Sequence, residues 1–325
     1  MGRRKHSQTR IGISGWTYAP WRGVFYPKKL AQHRELEYAS RMLNSIEING
    51  SFYSLQRPST YTGWYDATPE DFVFSLKGGR YLTHMRRLKD VKIPLANFLA
   101  SGVLALKEKL GPILWQLPPN FSFDAERLET FFQLLPRNTE DAAELAKQHE
   151  PKLKGRVLTT ADAKRPIRYA LEVRHRSFQC DESVALLRKH NIALVVADTT
   201  GKWPYGEDMT TDFIYVRLHG DEELYASGYT DQALDHWAKR LKLWKSGKQP
   251  KDAVHWSERK PTASSARDLF VYFDNDVKVK APFDAMALAH RIGADAQGAE
   301  VLGSEPPRSP KLSKTVLAGR VRDRK

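Results

Sequence analysis

Within RYALEVRHRSF (168–178), four consecutive positions supply a carboxylate, a guanidinium and an imidazole: Glu172, Arg174 and His175. Comparable endings recur along the chain. SIEIN brings Glu47 and Asn49, FVFSLKG brings Lys77, and PILWQLP brings Gln116. IALVVAD brings Asp198, FIYVRLHG brings Arg217 and His219, and LFVYFDND brings Asp274 and Asn275. Carboxylates and histidine are the usual groups of general acid–base catalysis. Arginine and lysine clamp phosphate or carboxylate oxygens, arginine in bidentate fashion. Trp16, Tyr18, Trp21 and Tyr53 add aromatic faces suited to a sugar or a base, with loop packing as their simpler use.

The segments that carry these groups read as short apolar strands: 10–16, 45–49, 72–78, 112–118, 168–174, 192–198, 213–220 and 269–276. Between most of them lie amphipathic stretches, at 34–43, 125–135, 181–190, 232–244 and 281–293. Asp181 is the expected N-cap of the third stretch, and Gly293 the expected stop of the last. The crossover 199–212 is too polar and too rich in Gly and Pro for a full helix. Strand alternating with helix predicts a (β/α)8 barrel, with a two-domain α/β protein as the alternative.

In a barrel, one strand parity faces the interior and the other the helix layer. The parity carrying polar tips is Ser14 and Trp16, Glu47 and Asn49, Ser75 and Lys77, Gln116, Glu172 and Arg174, Asp198, Arg217 and His219, and Tyr272 and Asp274. All eight tips are thereby expected at one mouth, the face where barrels of this kind hold their active sites.

Three functions fit such a mouth. The first is a metal-independent hydrolase or lyase acting on a small anionic, phosphorylated substrate. Lys77, Arg174 and Arg217 would clamp the anion, Glu172 or Glu47 would act as acid or base, and His219 would carry the proton. Trp16, Tyr18, Asn49, Tyr53, Gln116, His175, Asp198 and Asn275 would complete substrate binding. The second is a divalent-metal phosphodiesterase or sugar isomerase with Glu47, Glu172 and Asp198 as ligands. The third is a non-catalytic nucleotide or nucleic-acid binder. No cofactor is otherwise expected. A glycosidase fits poorly, because Glu47 and Glu172 stand on strands across the mouth from one another.

The chain has 325 residues, a formal net charge of +14 and one cysteine, Cys180. A single cysteine excludes an internal disulfide. No apolar run reaches the roughly 20 residues of a membrane helix, and the opening MGRRKHSQTR lacks the apolar stretch of an export signal, so a cytoplasmic protein with no membrane partner is expected. Most of the excess charge lies at the ends. Residues 1–10 hold Arg3, Arg4, Lys5 and Arg10, and residues 306–325 hold seven basic residues against Asp323. The expected organisation is a basic tail at 1–10, a barrel at 11–297 with a polar insert at 136–166, and a disordered basic tail at 298–325. Such tails make weak, salt-sensitive contacts with nucleic acid, or merely aid solubility.

GISGWTYAPWRGVFYP (12–27), SIEINGSFYSL (45–55), FVFSLKG (72–78), WQLPPNF (115–121), LEVRHRSF (171–178), YVRLHG (215–220) and VYFDND (271–276) together resemble the DUF72, or YecE-like, family. The resemblance runs from about residue 11 to about residue 293. It implies a TIM barrel and a family without an established activity, so no catalytic role transfers. Gly50 stands where the family more often has a small hydroxyl residue.

Overall fold

The structure, a computed structural model, describes residues 7–153, 155–220, 228–259, 266–275 and 279–296. Its strands are β1 (Thr9–Ser14), β2 (Ser45–Ile48), β3 (Val73–Lys77), β4 (Leu110–Gln116), β5 (Tyr169–Glu172), β6 (Ile192–Asp198), β7 (Phe213–Leu218) and β8 (Asp268–Phe273). They close into one barrel in chain order, every neighbour parallel, β8 returning to β1. Among the described residues all eight strands belong to this one closed sheet, so the fold is a (β/α)8 TIM barrel and not the two-domain alternative. The barrel begins before the expected boundary at residue 11, because Thr9 and Arg10 already pair with Leu269 and Phe270. The basic C-terminal tail lies outside the described residues.

The helices are α1 (Glu35–Met42), α2 (Gly50–Tyr53), α3 (Pro58–Asp66), α4 (Lys92–Ala100), α5 (Ala125–Leu134), α6 (Thr139–Ala146), α7 (Asp181–Lys189), α8 (Asp231–Lys245) and α9 (Ala281–Ile292). Local signals start several of them. The Asp124 carboxylate accepts the Arg127 amide at the head of α5, and Asn138 accepts the Asp141 amide at the head of α6. Gly293, left-handed at φ 64°, ends α9 as expected. Asp181 does not cap α7. Cys180 holds the extended N-cap position, and Asp181 is the first helical residue, where its charge suits the helix dipole. The insert 136–166 contains α6, with Ala142, Ala143 and Ala146 buried. It is therefore amphipathic in part rather than wholly polar. No helix fills 199–212, as its composition predicts.

Two apolar layers result. The outer one, between strands and helices, holds Ile46, Ile48, Phe74, Leu76, Leu171, Val196, Leu218 and Phe273. The inner one fills the barrel axis with Val73, Leu114, Ala170, Val195, Phe213, Tyr215, Phe270 and Tyr272. Midway up, the Tyr272 hydroxyl meets the hydroxyls of Ser45 and Ser75, each at 2.7 Å. Above that tier the interior turns ionic. Among the described residues, no helix is long and apolar enough to cross a membrane.

Candidate active site at the barrel mouth

Register carries the strand tips into the interior. Ser14 is level with Glu47, Glu47 with Ser75, Lys77 with Leu114, Gln116 with Glu172, and Arg217 with Tyr272. At the centre lies Arg217, fully buried. Its Nε and Nη2 donate to the two oxygens of Glu47 at 3.2 and 3.0 Å, its Nη1 donates to Glu172 at 2.6 Å, and Nη2 also reaches Asp274 at 2.8 Å. Glu47 accepts two further bonds, from Ser14 at 2.9 Å and from the Tyr215 hydroxyl at 2.6 Å. Three carboxylates thus surround one guanidinium, Glu47 from β2, Glu172 from β5 and Asp274 from the segment just after β8.

Arg174 completes the network on the β5 side. It donates to Glu172 at 2.8 Å and to Gln116 at 3.0 Å, and its guanidinium lies 5.1 Å from the Trp203 ring centre. Burial would push Glu172 up, but Arg174 and Arg217 outweigh it and hold the carboxyl well below the usual range. Asp274 behaves likewise: burial raises it, and Arg217 with the adjoining His219 brings it well below. His219 Nδ1 lies 3.2 Å from the Asp274 carboxylate. Asp274 keeps 16% side-chain exposure, whereas Glu47 and Glu172 keep almost none.

Lys77 stands apart. Only 9% exposed, its Nζ sits 4.4 Å from the Phe52 ring centre, and among the described residues it has no carboxylate within 4.0 Å. Burial, assisted by the Arg217 charge, lowers its pKa to about 8 despite Asp274, Glu172 and Glu47. The same Phe52 ring meets His84 edge-on, centroids 5.1 Å apart. His84 is lowered to about 4 by burial and by the charges of Lys77, Arg174 and Arg80. It is a neutral imidazole at pH 7, with Nδ1 2.9 Å from the Thr83 hydroxyl.

Residues 10–311 match the family described as Protein of unknown function DUF72. The chain belongs to the DUF72 family. It is 28% identical over 129 residues to the UPF0759 protein YunF of Bacillus subtilis (strain 168), covering 36% of this chain and 43% of that protein. It is also 28% identical over 111 residues to the UPF0759 protein YecE of Escherichia coli (strain K12), covering 34% of this chain and 38% of that protein. The match thus spans less than half the length of either curated relative. A DUF72 family protein of Thermotoga maritima MSB8 superposes with TM-score 0.64 at 23% identity, over 88% of this chain and 99% of the other. One from Enterococcus faecalis V583 gives 0.61 at 16% identity, over 88% and 96%. At these identities the two structures speak for the fold alone.

The candidate site residues divide into two groups. Glu47, Lys77, Gln116, Glu172, Arg174, Arg217 and His219 gather in the mouth. Asp198 does not. Ala197 is level with Arg217 and packs inside, so Asp198 shares the outward parity of Leu218, and it accepts the Tyr229 hydroxyl at 2.9 Å. The conditional ligand set Glu47, Glu172 and Asp198 therefore does not converge, and among the described residues no group of three His, Cys, Asp or Glu is placed to hold one metal ion. His175 turns to its own loop, where its Nδ1 accepts the Ser177 amide at 3.2 Å. Asn275 donates to Asp284 of α9 at 2.9 Å. Tyr18 donates to the Ser14 carbonyl at 2.6 Å, while Trp21 is fully buried. Trp16 lies edge-on to Trp64, centroids 5.4 Å apart, in a cleft beside α3. Tyr53, 69% exposed, lines a cavity of about 640 Å³ between α2 and α4. Asn49 heads α2, and its buried Oδ1 has no hydrogen-bond partner among the described residues.

Sequence reasoning passes over His84, Trp203 and Tyr215. Tyr215 was legible, two residues before Arg217 on the same parity. His84 and Trp203 lie in the loops after β3 and β6, where no periodicity marks them.

Proposed function

We propose that this barrel is a metal-independent lyase or hydrolase that holds a small anionic substrate at its C-terminal mouth, in a cytoplasmic protein. The observation that carries the reading is a pair of cations enclosed at the mouth: Lys77, 9% exposed with its ammonium on the Phe52 ring, and Arg174, with 12% side-chain exposure. Arg217 spends its donors on Glu47, Glu172 and Asp274, so it serves as a scaffold rather than a clamp. Arg174 keeps 12% side-chain exposure beside Lys77's side of the mouth and is the arginine suited to meet a phosphate or carboxylate. Proton transfer falls to His84 and to the Asp274–His219 pair. Glu47 and Glu172 have both oxygens engaged and serve to hold the guanidinia.

The test is calorimetric titration with inorganic phosphate, with and without chelator, on wild type and Arg174→Gln. Phosphate is expected to bind wild type irrespective of chelator and about tenfold or more weakly to the variant, as loss of one charge-assisted contact implies. Binding of manganese in place of phosphate would overturn this reading and favour a metal enzyme.

A further inference from the structure

We propose that Lys77 is a covalent catalyst, attacking the carbonyl carbon of a small anionic oxo compound and carrying it as an imine. This rests on the mouth being the substrate site, as above, and narrows the substrate to 2-oxo acids or open-chain sugar phosphates.

The chain has two buried lysines among its described residues, and they differ in one respect. Lys109 donates to the Tyr65 and Thr68 carbonyls at 2.6 and 2.9 Å and to the Thr68 hydroxyl at 3.2 Å, so its ammonium is fully engaged. The Lys77 ammonium makes no hydrogen bond or ion pair among the described residues and lies 4.4 Å from the Phe52 ring centre, whereas its backbone carbonyl accepts the Ser51 hydroxyl at 2.7 Å. It ends β3 on the interior parity, at the face where barrel enzymes do their chemistry. Its stem is enclosed and its nitrogen rests on an aromatic face. A lysine desolvated in an apolar setting and placed near another cation is the arrangement that makes the free amine available. Arg217 is that cation.

Burial and Arg217 place Lys77 near about 8 instead of its ordinary 10.5. At pH 7 that difference gives it about 300 times the free-amine fraction of an exposed lysine. The groups that face it are Arg217 of β7, Glu47 of β2, Glu172 of β5, Asp274 after β8, and His84 of the loop after β3. The amine lone pair forms the C–N bond while the carbonyl oxygen takes a proton. The nitrogen then loses a proton, the hydroxyl takes one and leaves as water, and the C=N iminium remains. The sum consumes one proton and releases one water, with no oxidant or reductant. A C–H bond on the carbon next to the iminium can then break, its electron pair forming the enamine while neutral His84 accepts the proton.

In the test, the full chain is incubated with pyruvate, and separately with dihydroxyacetone phosphate, in the presence of cyanoborohydride. That reagent delivers hydride to C=N and fixes it as a secondary amine. Peptide mass spectrometry locates the adducts. Lys77 is expected to be labelled at pH 7 about tenfold or more faster than exposed Lys28 and Lys29, with a half-rise near about 8. Lys77→Arg should abolish the fast adduct and leave the thermal melt within a few degrees. Labelling of Lys77 no faster than Lys28 in wild type overturns the proposal, and no variant is needed for that outcome. If phosphate still binds while Lys77 stays unlabelled, the imine falls and the anion site stands. Fast labelling that phosphate does not slow upholds the imine and removes the anion reading.

Discussion

Replacing Arg217 by Met removes the one guanidinium that three buried carboxylates share, at nearly constant length. The lost bonds span 2.6 to 3.2 Å. Glu172 still has Arg174, and Asp274 still has His219 and some solvent, but the cluster is left with excess negative charge in a closed space. Breaking a buried pair from one side typically destabilises by about 3–5 kcal/mol. An independent bound comes from letting one carboxyl take a proton. At an ordinary value of about 4.3, that costs about 3.7 kcal/mol at pH 7 and about 1 kcal/mol at pH 5. The two estimates agree near 4 kcal/mol at neutral pH, and the second predicts that roughly 2.7 kcal/mol of the defect disappears by pH 5.

Wild type runs the other way. Glu172 and Asp274 are held below their unfolded values, so their contribution is present above about pH 4 and is lost only as pH falls through the lower folded values. Between pH 7 and 5 wild type therefore changes little on their account. At roughly 2 °C per kcal/mol for a chain of this size, Arg217→Met should melt about 8 °C below wild type at pH 7 and about 2 °C below at pH 5. Thermal melts followed by circular dichroism at both pH values give the readout. Equal deficits at the two values, or a deficit under about 2 °C at pH 7, would refute the account of the cluster as a charge-compensated unit.

Two further outcomes follow from the barrel itself. Tyr272→Phe removes the hydroxyl shared by Ser45 and Ser75 without changing the ring, and should lower stability by about 1–2 kcal/mol in the same melts; a variant as stable as wild type would show that tier to be dispensable. Gly102 precedes the turn after α4 at φ 117°, and a Cβ there would come within 2.6 Å of the Pro58 Cα. Gly102→Ala should therefore be destabilised by more than the roughly 1 kcal/mol of a helical Gly-to-Ala exchange, and with the opposite sign; an unchanged melt would contradict the packing of α3 on that turn.

The barrel was legible because its strands are short, apolar and in phase, so one parity could be followed from β1 to β8. The exception shows what that argument uses. IALVVAD is apolar on both faces, and its single polar residue made Asp198 look like an interior group. Pairing of Ala197 with Arg217 decides the matter, and that pairing is long-range information. The same holds for the ionic cluster. Arg217 and Glu47 lie 170 positions apart, and charge type alone could not tell a ligand clamp from a guanidinium already occupied. The isolation of Lys77 was equally hidden, since nothing in FVFSLKG says which acids its amine will fail to reach. His84 is outside any periodic segment. It becomes visible only when Phe52 brings the loops after β2 and β3 side by side.

The guanidinium-centred cluster has a mechanical corollary. It seals the tube at the height of Glu47 and Glu172, with the tyrosine and serine hydroxyls bracing it from beneath. A ligand can then descend no further than this lid turned floor, and it leaves by the way it came without any strand having to part. On the function proposed above, selectivity would therefore rest with the rim segments, which stand outside the closed sheet.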